Sequence, residues 1–137
     1  MQSRWKVFIA SAGSLLLATA TVQAHHAFSA EFDAAKPVEL RGVVTRMEWI
    51  NPHSWITIDV TTEDGAVETW EIEAGAPNAM FRRGFTRDSL PVGTQIVVRG
   101  YQARDGGQRA NGRDLTLADG QRLFLGGSNS ESAEEDP

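Results

Sequence analysis

The 137-residue sequence contains no cysteine, which excludes disulfide bonds, thiolate metal sites and cysteine nucleophiles. A small domain without these links must be held together by packing alone, and about 90 ordered residues are enough for that. Basic residues are also few, because 13 Lys and Arg stand against 18 Asp and Glu, for a net charge of −5. Since contacts to phosphates require a basic surface, this balance argues against a nucleic-acid partner.

Long apolar runs are absent too. The longest, residues 7–20, has about 14 residues, whereas a helix needs about 20 to cross a bilayer. It follows Arg4 and Lys6 and leads into small residues that end at Ala24. This layout is typical of a secretory signal peptide over residues 1–24, and an uncleaved anchor is the alternative. We therefore expect cleavage after Ala24 and a periplasmic protein with no membrane span after cleavage.

Catalytic motifs are missing from the chain. It has no glycine-rich phosphate loop, no metalloprotease helix motif and no serine in a nucleophile elbow. Glu71 and Glu73 lie on one strand face, and the sequence indicates no apolar pocket around either carboxyl group that would raise its pKa. These observations predict a protein that is not an enzyme.

Glycine, proline, asparagine and aspartate divide the rest of the chain into short segments with the period-two alternation typical of strands. Pro77 and Gly84 suit the start and end of a short helix, and Thr86 is a candidate cap for a second turn. Gly42 is a candidate bulge or bend, and residues 104–114 are expected to form a flexible loop. The predicted strands are residues 38–49, 55–61, 67–74, 94–106 and 113–125, with the last one folded at Asp119–Gly120.

Three strands, a short helix and two or three further strands match one small closed architecture. We predict an all-β fold with one short helix, an oligonucleotide/oligosaccharide-binding-like (OB-fold-like) antiparallel barrel of five to six strands. A β-meander or small sandwich is the alternative. The expected organisation is an amino-terminal arm at 25–36, the barrel domain at 37–125, and a disordered acidic tail at 126–137.

Two adjacent histidines would begin the mature chain. After cleavage at Ala24, His25 would carry a free α-amine beside its imidazole, so it could chelate a metal ion through both nitrogens. His26 and His53 are the only other histidines, and nitrogen-rich ligand sets favour copper(II). We therefore predict a copper(II) site formed by His25, His26 and His53. The alternatives are a frayed terminus with an accidental histidine pair, or an oxidative copper enzyme.

The segment around His53, MEWINPHSW, contains further candidate ligand-binding groups. Met47, Trp49, His53 and Trp55 are soft or aromatic groups that could together hold copper(I). The alternative is that Met47 and one tryptophan lie in the core while Asn51 helps to form a turn. We retain Trp49, Asn51 and Trp55 as candidate ligand-binding residues, with the two indole rings shielding the copper site from water.

A third group of candidate residues is basic. Arg82 and Arg83, with Arg87 nearby, could bind an anion or a carboxylate, because guanidinium groups form bidentate contacts. The alternative is a solvated basic end that complements the helix dipole. These arginines also support the second functional hypothesis, a metal-free periplasmic module that recognises a partner protein or ligand through the barrel face and this helix.

Several motifs together resemble a known family of small exported Gram-negative proteins, classed as a domain of unknown function. The resemblance covers about residues 25–125 and implies a periplasmic β-barrel-like domain without an established activity. The family's double-histidine start matches His25 and His26, and its Asn-Pro-His corner matches residues 51–53. The matching segments read HHAFSAEFD, VELRGVVTRMEWINPHSW, GAPNAMFRRGFTRDSLPVG and ANGRDLTLADGQRLF.

Overall fold

The computed structural model describes residues 27–126. The predicted signal peptide, His25, His26 and the acidic tail beyond Gly126 lie outside the described residues. A short helix, α1, occupies residues 27–31. The other elements are β1 (Phe32–Glu48), β2 (Trp55–Thr61), β3 (Val67–Glu73), α2 (Pro77–Arg82), β4 (Gln95–Ala103), β5 (Arg109–Leu117) and β6 (Arg122–Phe124).

The strands form where side chains alternate between the interior and the solvent. In β2, Ile56 and Ile58 are fully buried, whereas the intervening Thr57 and the flanking Trp55 keep part of their surface exposed. Trp70 and Ile72 on β3 point inward in the same way. The bounds of β2 agree with the prediction from the sequence, and β3 ends one residue before its predicted end.

The six strands form one mostly antiparallel sheet that closes on itself. The strand order is β3-β2-β1-β4-β5-β6, and an additional parallel pairing joins β3 to β5. The ring β1-β2-β3-β5-β4 is therefore a closed five-stranded barrel, with β6 paired to β5 and α2 between β3 and β4. This topology confirms the predicted OB-fold-like barrel.

Three local predictions were wrong or incomplete. β1 begins at Phe32, within the stretch interpreted as an arm, because Phe32 and residues from Pro37 onward pair with β4. β5 begins at Arg109, within the predicted flexible loop, because its first residues pair with β3 and β4. The bulge in β1 lies between Val44 and Arg46 instead of at Gly42.

The helix α2 starts and ends where the sequence predicts. Pro77 occupies one of the first two helical positions, where its missing N–H costs no hydrogen bond. Gly84 follows the helix with φ of 92°, a left-handed conformation that glycine adopts without steric cost. Beyond it, the backbone N–H of Asp88 donates to the Thr86 hydroxyl, which supports the predicted turn.

The core lies inside the barrel, and α2 and the segment after it cover one end. Met80 and Phe85 reach into this core and are fully buried. A smaller apolar cluster forms outside it from Phe28, Phe32 and Ala103, with Tyr101 packed against them. Over residues 27–126 we find no helix with the length and apolar character needed to cross a membrane.

Candidate functional site

His53 lies in the corner that connects β1 to β2. The Asn51–Pro52 peptide bond in this corner is cis. Two backbone hydrogen bonds tie the corner to the chain just after β3, since Ser54 N–H donates to Gly75 (3.0 Å) and Ala74 N–H donates to Ser54 (2.9 Å). In this way the corner is held against the end of β3.

The imidazole of His53 faces a buried carboxyl group. Its Nδ1 lies 3.1 Å from Oε1 of Glu73, and Glu73 is only 3% exposed. The His53 side chain itself is 37% exposed. Metal-binding histidines in proteins commonly have such a carboxylate behind them.

Glu71 and Glu73 lie on one strand face, as predicted, but the two carboxyl groups differ in burial. Glu71 does keep 48% of its side chain exposed. Glu73, one strand period further along, is covered because its neighbours are Trp55 on β2 and Asn111 on β5. Asn111 and Ser54 are buried as well, so three polar side chains lie together at this edge of the barrel.

Trp55 begins β2 beside this polar group and contacts an arginine from β5. The Arg109 guanidinium carbon lies 5.3 Å from the centre of the Trp55 ring, within the range of a cation–π contact. The same guanidinium forms an ion pair with Glu31 of α1, and its Nε lies 3.9 Å from Glu71. The contacts of Arg109 therefore link the described end of the amino-terminal arm to the strand that follows His53.

The four residues considered for copper(I) have different contacts. Met47 and Trp49 are partly buried and pack against the main core, which agrees with the core alternative for both. Trp55 faces Arg109, and His53 faces Glu73. Asn51 is exposed in the corner.

The arginines of α2 belong to a different surface. Arg82 is exposed, and Arg83 lies over the ring of Phe124 at 4.8 Å from its centre. In the described part of the chain, no hydrogen bond or ion pair connects either arginine to His53 or its neighbours. The predicted ligand-binding residues thus fall into two groups, one at the histidine corner and one at α2.

The described residues do not by themselves form a metal site. Within 27–126, no three His, Asp or Glu side chains are grouped so that they could hold a metal ion. His25 and His26, the other two predicted ligands, precede the described range. The sequence did not indicate a role for Glu73 or Arg109. Strand alternation places Glu73 on the polar face of β3, and the glycine-rich composition around Arg109 predicts a loop.

Comparison with known proteins gives the family of the chain. The model of a family of unknown function, DUF6152, matches residues 12–112. Since this match covers most of the sequence, the chain belongs to that family. No curated protein and no solved structure matches it.

Proposed function

We propose that the protein is a periplasmic copper(II)-binding protein that uses His25, His26 and His53. Cleavage after Ala24 would free the α-amine of His25, so amine and imidazole would chelate one copper ion. His26 and His53 would each add an imidazole nitrogen, and this nitrogen-rich set suits copper(II).

One observation carries the proposal. His53 Nδ1 lies 3.1 Å from a carboxyl group that is almost fully buried, and the imidazole keeps about a third of its surface exposed. In metal sites a carboxylate behind one ring nitrogen orients the imidazole toward the metal, and the contact between His53 and Glu73 supports the proposal in this way. Glu31, in the described part of the arm, also forms an ion pair with Arg109, which lies over the Trp55 ring.

The test begins with protein purified after native signal cleavage, with His25 established as the first residue by mass spectrometry. Copper(II) is then titrated by calorimetry and followed by EPR. A version with one extra residue before His25 is the first control, because an amide replaces the α-amine. We expect one tightly bound copper ion in the native form and clearly weaker binding in the extended form. Equal binding by both, or native binding no tighter than millimolar, would rule out the terminal chelate.

Two substitutions test the histidine corner. His53→Ala should weaken copper binding by at least about tenfold, because a ligand is lost, and Glu73→Gln should weaken it by about tenfold, because the carboxylate behind the ligand is lost. Glu68→Gln is the matched control, since it makes the same change on β3 at a carboxylate that pairs with the Trp70 indole. Unchanged affinity in His53→Ala would remove His53 from the site.

A second candidate function rests on the surface at α2. Phe81 is 66% exposed, and the Phe124 ring, 37% exposed, lies under the Arg83 guanidinium. Exposed aromatic side chains beside arginine are enriched at protein interfaces. The alternative function is therefore a metal-free module that binds a periplasmic protein. Crosslinking in the periplasm should then recover one dominant partner that is lost in Arg82→Ala/Arg83→Ala, and recovery of the same proteins by both forms would oppose it.

A further inference from the structure

An open cleft lies on the surface of β1, β4, β5 and β6, and its volume is about 400 Å³. Pockets of this size hold small organic molecules in other proteins. The described residues that line the cleft include none from the histidine corner or from α2, so the cleft is separate from the candidate site. Its charged lining residues are Glu39, Arg99, Arg113, Asp114 and Arg122.

The charged groups of this cleft are paired with one another, except for Arg113. Arg122 donates two hydrogen bonds to the Asp114 carboxylate, at 3.1 and 2.9 Å, and the Asp114 side chain is only 7% exposed. Arg99 donates to the Glu39 carboxylate at 3.0 Å. Over residues 27–126, no carboxylate forms an ion pair with Arg113. Three guanidinium groups therefore line the cleft with two carboxylates, which leaves one positive charge without a partner there.

A β-bulge places Arg113 in the cleft. The pairing of β4 with β5 changes register between Arg99 and Gly100, and Arg113 is the extra residue on β5. Arg113 and Asp114 therefore both line the cleft, whereas successive side chains of a regular strand point to opposite faces. The Arg113 carbonyl accepts a hydrogen bond from the Leu125 N–H at 2.8 Å, so the bulged backbone is fixed to the segment after β6.

Tyr101 adds a second hydrogen-bond donor to the same cleft. Arg113 Nη1 donates to the Tyr101 hydroxyl oxygen at 3.2 Å, and the Tyr101 ring is held edge-on against Phe28 at 5.9 Å between centres. Because the hydroxyl oxygen accepts this bond, its own proton stays available, and within the described part of the chain no acceptor takes it. The remaining N–H groups of Arg113 and the O–H of Tyr101 are thus donors that suit an oxyanion.

We propose that this cleft binds a small organic acid through its carboxylate group, with Arg113 and Tyr101 as the binding residues. The single unpaired positive charge suits a monoanion, and the nearby carboxylates of Glu39 and Asp114 would repel a dianion such as phosphate more strongly. A guanidinium group also matches the geometry of a carboxylate. Val38 and the Tyr101 ring line the cleft beside these donors and offer apolar surface to the rest of the acid.

The test titrates sodium benzoate into isotope-labelled protein, purified after native processing and without added metal, and follows the backbone amides by NMR. We expect saturable shifts centred on residues 99–101 and 113, with a dissociation constant of about 1 mM or tighter. Benzyl alcohol has the same ring without the charge, and it should give no saturable shifts. Inorganic phosphate should bind more weakly than benzoate, because it carries the larger negative charge.

Three variants connect the binding to the two proposed residues. Arg113→Gln should lose about tenfold or more in benzoate affinity, and Tyr101→Phe about tenfold, because each removes a hydrogen bond to a charged group. Tyr101→Phe keeps the ring that packs against Phe28, so the fold should be retained. Arg87→Gln is the matched control, since it removes an exposed arginine that forms no ion pair within residues 27–126, and it should keep the parent affinity.

Several results would overturn the inference. Shifts that are spread over the surface without saturation would show that benzoate has no site in the cleft. Equal losses in Arg87→Gln and Arg113→Gln would show attraction by net charge alone. Benzyl alcohol or phosphate binding as tightly as benzoate would exclude recognition of a carboxylate. Since the titration contains no copper and the cleft includes no histidine, none of these results bears on the proposed copper(II) function.

Discussion

Gly100 on β4 offers the sharpest test of how the barrel closes. A Cβ atom at this position would lie 2.0 Å from the carbonyl oxygen of Asn111 and 2.9 Å from its carbonyl carbon, on the neighbouring strand β5. Ordinary van der Waals contacts begin at 3.4 Å. Since the opposing atoms belong to the backbone, Gly100→Ala would force β4 and β5 apart by more than 1 Å.

The cost can be worked out from that displacement. Overpacking a tight interior costs about 1–3 kcal/mol. Separating the strands also weakens one or two ladder hydrogen bonds near the Gly100–Gly112 pair, at about 1 kcal/mol each. We therefore expect a loss of about 2–5 kcal/mol in the free energy of unfolding, a large share of the roughly 5–15 kcal/mol typical of a domain.

Urea denaturation measures this loss. With a slope of about 1–3 kcal/mol per molar, the midpoint of Gly100→Ala should fall by about 2 M. Gly107→Ala is the matched control, because its added Cβ would approach only the flexible Asp105 side chain, at 3.0 Å. A loss below about 1 kcal/mol in Gly100→Ala, or a loss no larger than that of Gly107→Ala, would refute the reasoning.

Three further predictions concern the arm, an exposed carboxylate and copper. Phe32→Ala should cost about 3 kcal/mol in urea unfolding, because this ring is 1% exposed and packs against Phe28; a loss under 1 kcal/mol would contradict that packing. A hydrogen bond and positive charge from Arg99 hold the pKa of Glu39 below its ordinary value of 4.5. The ionised Glu39 therefore stabilises the fold above pH 4.5, and this stabilisation is lost as the pH falls through the lower pKa of the folded protein. The stability difference between parent and Glu39→Gln should therefore shrink in acid, and a difference that grows in acid would reverse the sign. Copper(II) affinity of the native form should fall as the pH drops through the titration range of imidazole, near about 6.5, because protons compete with copper for the nitrogens. Calorimetry at about pH 7.5 and about pH 5.5 measures this change, and equal affinities would exclude imidazole ligands.

Much of the fold could be predicted from local patterns. Alternation in β2 and β3 defines the buried faces of both strands, and their pairing needs only the short turn between them. Pro77 and Gly84 mark the two ends of the helix. Proline suits the first turn, where its missing N–H costs no hydrogen bond, and glycine adopts the left-handed conformation after the last turn. Each of these signals lies within a few neighbouring residues, so it can be recognised without knowing how the rest of the chain folds.

The candidate site was only partly predictable. The sequence indicates His53 as a candidate because it follows Asn51 and Pro52 in a predicted corner and is one of only three histidines. Nothing near Glu73 in the sequence shows that it is buried, because it shares a strand face with the exposed Thr69 and Glu71. Part of its cover comes from Asn111 on β5, more than thirty residues later in the chain.

The sequence by itself determined the composition of the protein, its strand periodicity, its short helix and the number and positions of its histidines. These follow from residue identity and from neighbours a few positions apart. Only the tertiary structure decided that Glu73 lies behind His53 and that Arg109 joins Glu31 to Trp55. The first contact depends on the backbone bonds that hold the corner against the end of β3, and the second depends on the parallel pairing of β3 with β5. A pairing between segments that are distant in sequence leaves no periodic signal in either one.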